Sequence, residues 1–404
     1  MRMTALLSVG VAGLVLLLST SILLADPPAV SDPPSDEEIT SLVSYWIEQI
    51  GAAKTPEAVT AAAQDMIDNF FFYDNPEKYA DVKYEYAAEA GEQIVAFLAD
   101  MPVDDLQRTR EINAARALAS LSEVSIQPAL DVLVAHKNPA VRFQAWLGYI
   151  QVRDMRLAQG LSVAEGFFKV LQQRASAEDS PIVIGEICKV ASLPMRLPAN
   201  ITNETYLGAA DRLLAILHDN WQVWTKKAGG ADVDWVCAAT EAVNTLISLT
   251  TILKGADQRS VADKDMLQDL IDLAAVGGNL YARATKLQLQ VEDLDKQSQQ
   301  MDEAQKRDLA LLRAKAVKTE AAAVGLLTAC EKAINGLVGK NNEFVSLPLK
   351  GRYISIESGR EIPKKFIDKL QQADAVQLGV IGWVRELKAL NFDIQDPRIV
   401  LPEE

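Results

Sequence analysis

The feature of this chain that most restricts its fold is a set of apolar residues that recurs every 36 or 37 positions. Ile94 corresponds to Leu130 after 36 residues, and Leu130 corresponds to Phe167 after 37 residues. Each of the three is followed by apolar residues three and four positions on, which is the spacing of one helical face. Sequence periods of this length are typical of stacked supersecondary units that bury one another's apolar faces. The period therefore predicts helix pairs packed side by side over residues 89–193.

The second helix of each predicted pair begins with a proline motif. Residues 138–146 read NPAVRFQAW, and residues 180–183 read SPIV. The N–H groups of a first helical turn have no partner within the helix. Proline lacks an N–H group, so a proline there loses no helical hydrogen bond while its ring fixes the backbone at the start of the helix. The Asn-Pro start, the Val-Arg pair and the small residue three positions on resemble the second helix of a HEAT repeat. The resemblance to this HEAT-like (armadillo-type) α-helical repeat family is clearest over 128–150 and extends over 89–193.

This resemblance implies an α-solenoid that presents a surface to other proteins. It also implies a role for Arg142, because the arginine at this position of HEAT repeats often joins a polar ladder between neighbouring units. Ile184 stands at the corresponding position one unit later, so a continuous ladder is not expected here.

The predicted fold class is all-α, a HEAT-like α-solenoid followed by a long antiparallel coiled-coil hairpin and a small C-terminal α/β tail. The predicted segments are a signal peptide (1–25), a Pro-rich linker (26–36), a HEAT-like helical repeat domain (37–260), a long coiled-coil hairpin (263–338) and a small hairpin plus a helix (339–404).

Two apolar seams predict the coiled coil. The first seam has a spacing of seven and the second has the alternating spacing of three and four that coiled coils use. The almost entirely polar segment 295–307 separates them, and the two seams are out of phase by one residue. Two antiparallel helices explain both facts, and one continuous helix with a skip in its register is the alternative. The first seam is Leu273, Leu280, Leu287, Leu294 and Met301, and the second is Leu309, Leu312, Ala316, Thr319, Ala323, Leu326, Cys330, Ala333 and Leu337.

The N-terminus predicts the compartment. Arg2 is followed by a segment without charge from Thr4 to Ala25, and residues 5–24 are almost wholly apolar. This pattern is typical of an export signal, with Ala25 as the last residue removed. The apolar run is also long enough to span a bilayer, so an uncleaved anchor is the alternative. Both interpretations place the bulk of the chain outside the cytoplasm, so that it is either periplasmic or secreted. We expect a bacterial source.

Charge and cysteine content exclude several classes of protein. The formal net charge is −15, and no Lys/Arg-rich run is present, so a nucleic-acid partner is not expected. The three cysteines, Cys188, Cys237 and Cys330, are far apart and odd in number, which is not a disulfide framework. Each lies among apolar residues, so we expect three buried thiols that pack as small hydrophobic groups.

No motif predicts a catalytic, cofactor-binding or metal site. His136 and His218 are each predicted at the end of a helix, where the helix dipole favours a cation. Neither has a histidine four residues away, and no cysteine pair has zinc-ligand spacing. Trp221, Trp224 and Trp235 could stack a sugar, but large aromatic side chains more often pack between helices.

Three functional hypotheses remain. The first is a non-enzymatic, extracytoplasmic helical-repeat scaffold that binds protein partners through a surface that the sequence does not identify, with self-association through the coiled coil. The second is an exported carbohydrate-active enzyme on a helical toroid, with paired carboxylates in an acidic cleft beside the tryptophans. The third is a signal-anchored coiled-coil spacer of an envelope complex.

Overall fold

The computed structural model describes residues 26–73, 75–101, 103–229, 232–255, 264–338 and 366–397. These residues form thirteen α-helices and no β-strand, which confirms the all-α class for the described part of the chain. The predicted signal peptide lies outside the described residues, and so do residues 339–365, where the predicted small C-terminal hairpin would begin. The helices are α1 (Asp36–Ala52), α2 (Pro56–Phe72), α3 (Pro76–Ala99), α4 (Gln107–Ser120), α5 (Gln127–Leu133), α6 (Pro139–Gln159), α7 (Glu165–Ala177), α8 (Pro181–Ala191), α9 (Asn203–Ala228), α10 (Val233–Gly255), α11 (Lys264–Gln297), α12 (Glu303–Val338) and α13 (Phe366–Ala389).

Side-chain caps explain where several helices begin. The Ser35 hydroxyl accepts a hydrogen bond from the Glu38 N–H, and the Glu38 carboxylate accepts one from the Ser35 N–H, which together form a capping box at the start of α1. Asn138 Oδ1 accepts from the Ala140 N–H at 3.0 Å, directly before Pro139 opens α6. Each cap satisfies an N–H group that the helix itself leaves without a partner.

Helices two apart in the chain pack side by side. α2 contacts α4, and the same relation continues from α4 to α6, α6 to α8, α8 to α10 and α10 to α12. We call these six helices the even-helix series. Among the odd-numbered helices, α1 contacts α3, α3 contacts α5, α7 contacts α9 and α9 contacts α11. The apolar core therefore runs continuously between successive helices of the described chain.

The recurring apolar positions lie in this core. Ile94 on α3, Leu130 on α5 and Phe167 on α7 are all fully buried, as the sequence period predicts. Ala145 and Ile187, which correspond to each other in α6 and α8, are buried as well. The apolar face of each helix is therefore covered by its neighbours.

The two predicted seams lie on separate helices. A short 3-10 turn, Ser298–Gln300, and the extended residue Met301 separate α11 from α12, so one continuous helix is wrong for this segment. This turn lies within the polar segment 295–307. Connections between helices run over the protein surface, where polar side chains are solvated. α11 and α12 contact each other, and Leu280 and Leu326 from the two seams are fully buried.

Gly277 lets α11 and α12 approach closely. A Cβ atom at this position would lie 2.9 Å from Leu327 Cγ, which is too close for two carbon atoms. We expect Gly277→Ala to lower the free energy of unfolding by about 1–2 kcal/mol, since the overpacking outweighs the gain in helix propensity. Gly336→Ala on α12 is the matched control, because no atom lies within 4 Å of the place that a Cβ would take there. Urea unfolding should show a gain of about 0.5–1 kcal/mol for this control. Equal effects of the two substitutions would contradict the close approach.

The end of the predicted linker is held against α3. Asp32 accepts hydrogen bonds from Lys78 Nζ and from the Tyr79 hydroxyl, both at 2.6 Å. The hydrogen bond from Lys78 keeps the pKa of the Asp32 carboxyl below its ordinary value. Pro34 is buried, so this part of the linker is packed rather than a free spacer.

Two described helices are long and apolar enough to cross a membrane, namely Val233–Lys254 and the whole of α12. More than half of each apolar window is buried inside the fold. Core helices of soluble proteins have the same property, so length and composition alone are weak evidence for a membrane span.

Candidate functional site

A cavity of about 330 Å³ opens between the C-terminal end of α8 and its neighbours in the even-helix series. α6 contributes one lining residue, α8 and the loop after it contribute four, and α10 contributes three. Its size is at the lower end of the range of small-ligand pockets. The lining residues are Arg153, Lys189, Ser192, Leu193, Pro194, Glu241, Asn244 and Thr245.

Arg153 fixes the end of α8. Its side chain is buried, and its guanidinium donates hydrogen bonds to the carbonyl oxygens of Val190 and Ser192. Its Nε–H donates to Asp154 Oδ1 at 2.8 Å. The last carbonyl groups of a helix have no partner within the helix, and a cation is favourable there. Arg153 thereby joins α6 to α8 and holds the wall of the cavity in place.

Lys189 carries an ammonium group between two carboxylates. Its Nζ lies 2.5 Å from Glu186 Oε1. The hydrogen bond that Lys189 donates to Glu186 and the negative charge of Glu241 both raise the pKa of Lys189, so the lysine stays charged. Glu186 is buried, and its Oε2 atom has no hydrogen-bond partner. A buried carboxylate oxygen without a partner is costly, and each such atom calls for an explanation.

The opposite wall is tied to α8 by hydrogen bonds. The Thr245 hydroxyl donates to the carbonyl oxygen of Cys188 at 2.9 Å, and the Ser248 hydroxyl donates to the carbonyl oxygen of Leu193 at 3.0 Å. Met195 and Leu197, in the loop that follows α8, expose 58% and 43% of their surface. The α10 side of the cavity is therefore held to α8 and to the loop that follows α8, and this loop carries exposed apolar side chains.

A second set of polar contacts joins successive helix pairs. Arg142 Nε and Nη2 bind the two carboxylate oxygens of Glu178 at 2.9 and 2.7 Å, across 36 residues of sequence. Glu178 is buried, and its Oε1 also accepts from the N–H groups of Asp179 and Ser180, directly before α8. Arg142 thus links α6 to the segment directly before α8, while Ile184 is fully buried in the core.

Asp269 of α11 lies near His218 and Trp221 of α9 and near two other aspartates of α11. Burial, followed by the negative charges of Asp272 and Asp265, raises the pKa of Asp269 from 3.8 to about 6. The charge of His218 opposes this shift. A carboxyl group with such a pKa can act as a proton donor near neutral pH. Within the described residues, no group of three or more His, Cys, Asp or Glu side chains is arranged to hold a metal ion.

This cluster gives a pH-dependent prediction. Because the pKa of Asp269 is higher in the folded chain than its ordinary value, its stabilising contribution is complete below pH 3.8 and is lost as the pH rises through 6. Asp269→Asn should therefore raise the free energy of unfolding at pH 8 and have little effect at pH 4. Since the group is half-buried, solvent screening limits the gain to about 1 kcal/mol or less. Thermal unfolding at both pH values measures it, with the exposed Asp308→Asn as control. A gain at pH 4 as large as that at pH 8 would contradict the shift.

One of the two histidines lies at the predicted end of a helix and the other does not. His218 lies in the middle of α9, which continues to Ala228. Close to it, the side-chain amide of Asn220 donates a hydrogen bond to the carbonyl oxygen of Ile216. The prediction of a helix end there is wrong. His136 follows α5, but burial lowers its pKa, and its Nδ1 accepts from the Asn138 N–H. Desolvation is the largest cause of the lowered pKa of His136.

The tryptophans and two of the cysteines pack as predicted. Trp221 and Trp224 are buried. Lys227 Nζ lies over the face of the Trp235 ring, 4.6 Å from the ring centroid. The buried rings do not present a face for stacking a sugar. Cys188 and Cys330 are fully buried, and burial raises the pKa of both thiols. Cys237 is exposed, so the prediction of three buried thiols is wrong for this residue.

Sequence reasoning missed Arg153, Lys189 and Glu241. The sequence does contain an indication that Arg153 is buried, because it lies on the apolar face of α6 at helical spacing from Trp146 and Tyr149. An arginine on an apolar face must be paired to be buried. Its partners are backbone carbonyl groups, which a sequence pattern does not mark.

Comparison of the chain with protein-family models, curated proteins and solved structures finds no match in any of the three.

Proposed function

We propose that the protein is a non-enzymatic, extracytoplasmic helical-repeat scaffold that binds a protein partner at the cavity between α8 and α10. The observation that carries this proposal is the packing order, in which each helix of the even-helix series contacts the next one. Such an order is typical of α-solenoids of the HEAT type, whose successive helices form an extended binding surface. The apolar N-terminal segment supports export.

The position of the cavity supports a role in binding. It is lined by α6, α8 and α10, three successive members of the even-helix series, so its lining joins residues that are up to 92 positions apart (153 to 245). Met195 and Leu197 are exposed and follow the lining residue Pro194 in the same loop, and side chains of this kind are common at protein interfaces.

The contact between α11 and α12 supports the second part of the proposal, an antiparallel coiled hairpin that mediates self-association. Leu311 on α12 exposes 69% of its surface and Val317 exposes 60%. Neither side chain is covered by the fold, whereas the neighbouring seam residues Leu309 and Ala316 are buried. A second copy that packs against α12 would cover such exposed apolar side chains.

Site-specific photo-crosslinking tests both parts of the proposal. A photoreactive phenylalanine analogue at Met195 should give an adduct with one partner protein in the envelope fraction of the cells that produce the chain. The same analogue at Leu311 should give an adduct of two copies. Val103, which exposes 89% of its surface between α3 and α4, is the control position and should give neither. Equal adducts at Met195 and Val103 would contradict the proposed binding surface.

A second candidate function is an exported hydrolase that uses Asp269 as its general acid. The pKa of about 6 at Asp269, beside Asp272 with a pKa raised by burial, favours it. The burial of Trp221 and Trp224 counts against a sugar-binding cleft at this place. Release of reducing ends from a panel of polysaccharides that is lost in Asp269→Asn would favour the hydrolase over the scaffold.

A further inference from the structure

We infer that the cavity between α8 and α10 binds a small zwitterion, namely a free α-amino acid with an apolar side chain. This inference goes beyond the proposed function, because it assigns a small-molecule ligand to the cavity and does not depend on a protein partner. Three observations carry it: charges of both signs that line the cavity without joining each other, polar groups in the lining that have no partner, and an apolar part of the wall.

Charged groups of both signs line the cavity. Arg153 and Lys189 carry the positive charges, and Glu241 carries the negative charge. Each cation binds a carboxylate of its own helix, which is Asp154 for Arg153 and Glu186 for Lys189. Within the described part of the chain, neither cation forms an ion pair with Glu241. Glu241 is nevertheless close enough for its charge to raise the pKa of Lys189.

One nitrogen of the Arg153 guanidinium has no partner. Nε donates to Asp154, and Nη1 donates to the carbonyl oxygens of Val190 and Ser192. Nη2 donates no hydrogen bond to any residue that the structure describes. The side chain is only 4% exposed, yet Nη2 is not one of the enclosed nitrogens that lack a partner, so solvent reaches it. Because the other two nitrogens are held in place, Nη2 is a preorganised donor for a carboxylate oxygen.

Other polar groups of the lining have unused hydrogen-bonding capacity. The Lys189 ammonium has three N–H donors, one of which binds Glu186. Among the described residues, the side chains of Ser192 and Asn244 have no hydrogen-bond partner. The same holds for the carboxylate of Glu241, whose two oxygens can accept from an ammonium group. Donors for a carboxylate and acceptors for an ammonium group therefore line the same space.

This arrangement of charges favours a ligand with both signs and no net charge. A simple cation would be repelled by Arg153 and Lys189, whereas a simple anion would be repelled by Glu241 and by the net charge of −15. A zwitterion can place its carboxylate near the two cations and its ammonium group near Glu241, so both ends are attracted. An α-amino acid carries both groups on one carbon atom, which suits a cavity of about 330 Å³.

The apolar part of the wall favours an apolar side chain on this ligand. Leu193 and Pro194 line the cavity together with the charged groups. The hydrogen bond from the Ser248 hydroxyl to the Leu193 carbonyl holds this part of the wall against α10. Apolar surface that leaves water on binding contributes to affinity. Leucine should therefore bind more tightly than glycine.

The probe for the test is L-leucine, measured by ligand-observed NMR with the intact chain. We expect saturable binding with a dissociation constant of about a millimolar, since a ligand of this size makes few contacts. 3-Methylbutylamine is leucine without the carboxylate, and 4-methylpentanoate is leucine without the ammonium group. Each should bind about tenfold more weakly than leucine, because one charged end has lost its partner in the ligand. Glycine should bind about threefold more weakly.

A variant of Glu241 tests the ammonium end. Glu241→Gln should weaken leucine binding about tenfold and should strengthen 4-methylpentanoate binding about threefold, because the variant no longer attracts a cation or repels an anion. The side chain of Glu241 makes no hydrogen bond within the described residues, so the substitution should leave the fold intact. Glu204→Gln, at an exposed position on α9, is the control and should change neither constant.

Absence of saturable leucine binding, or an unchanged dissociation constant in Glu241→Gln, would overturn the inference. Binding of the amine or of 4-methylpentanoate as tight as that of leucine would overturn the choice of a zwitterion. Equal binding of glycine would overturn the choice of an apolar side chain. Leucine binding without a partner adduct at Met195 would retain this inference and reject the proposed partner site, and an adduct without leucine binding would do the reverse.

Discussion

Replacing Phe167 by alanine is expected to lower the free energy of unfolding by about 3–5 kcal/mol. Phe167 is fully buried, and its ring centroid lies 5.8 Å from that of Tyr149 on α6 and 5.3 Å from that of Phe168. Removal of the ring leaves a cavity between helices of two successive pairs, which the rigid backbone of the helices fills poorly. Equilibrium urea unfolding followed by circular dichroism measures the loss.

The same substitution at an exposed position provides the control for Phe167→Ala. Phe72, the last residue of α2, exposes 75% of its surface. Phe72→Ala should change the free energy of unfolding by no more than about 0.5 kcal/mol. A loss below about 1 kcal/mol for Phe167→Ala would show that this part of the core is not packed as described.

Replacing Arg142 by methionine is expected to cost about 3–5 kcal/mol, because the buried carboxylate of Glu178 would lose its charged partner. The side chain of Glu178 is 4% exposed and that of Arg142 is 13% exposed, so water cannot easily replace the guanidinium. Methionine keeps much of the apolar stem, which separates the loss of charge from the loss of packing. The same unfolding measurement applies.

The control for Arg142→Met is an exposed ion pair. Arg313 on α12 binds Asp295 at 2.5 Å, with side-chain exposures of 55% and 39%. Arg313→Met should cost no more than about 1 kcal/mol, because exposed pairs contribute little. Similar losses for both variants would mean that the Arg142–Glu178 pair is not buried between units.

The helices themselves could largely be predicted from the sequence, because their signals are local. The capping box of Ser35 and Glu38 and the Asn138-Pro139 start mark helix beginnings, and the structure has both. The period of Ile94, Leu130 and Phe167 marked the buried faces for the same reason, since apolar spacing within one helix decides which side is covered.

The candidate site could not be predicted in the same way, because its properties arise only where separate helices meet. Lys189 and Glu241 are 52 positions apart, and nothing in either local sequence shows that α8 and α10 are neighbours. The shift at Asp269 likewise depends on burial beside α9. The lowered pKa of His136 also depends on burial by the surrounding structure, which the local sequence does not show.

A double-mutant cycle on Arg142 and Glu178 tests most directly whether units 36 residues apart stack on each other. The cycle compares Arg142→Met, Glu178→Gln and the double variant, in which glutamine keeps an acceptor for the N–H groups before α8 but carries no charge to leave unpaired. If the units stack, the double variant should lose about 1.5–3 kcal/mol less stability than the sum of the two single losses. Losses that add within about 0.5 kcal/mol would mean that the two side chains do not meet, and the stacked arrangement would be wrong.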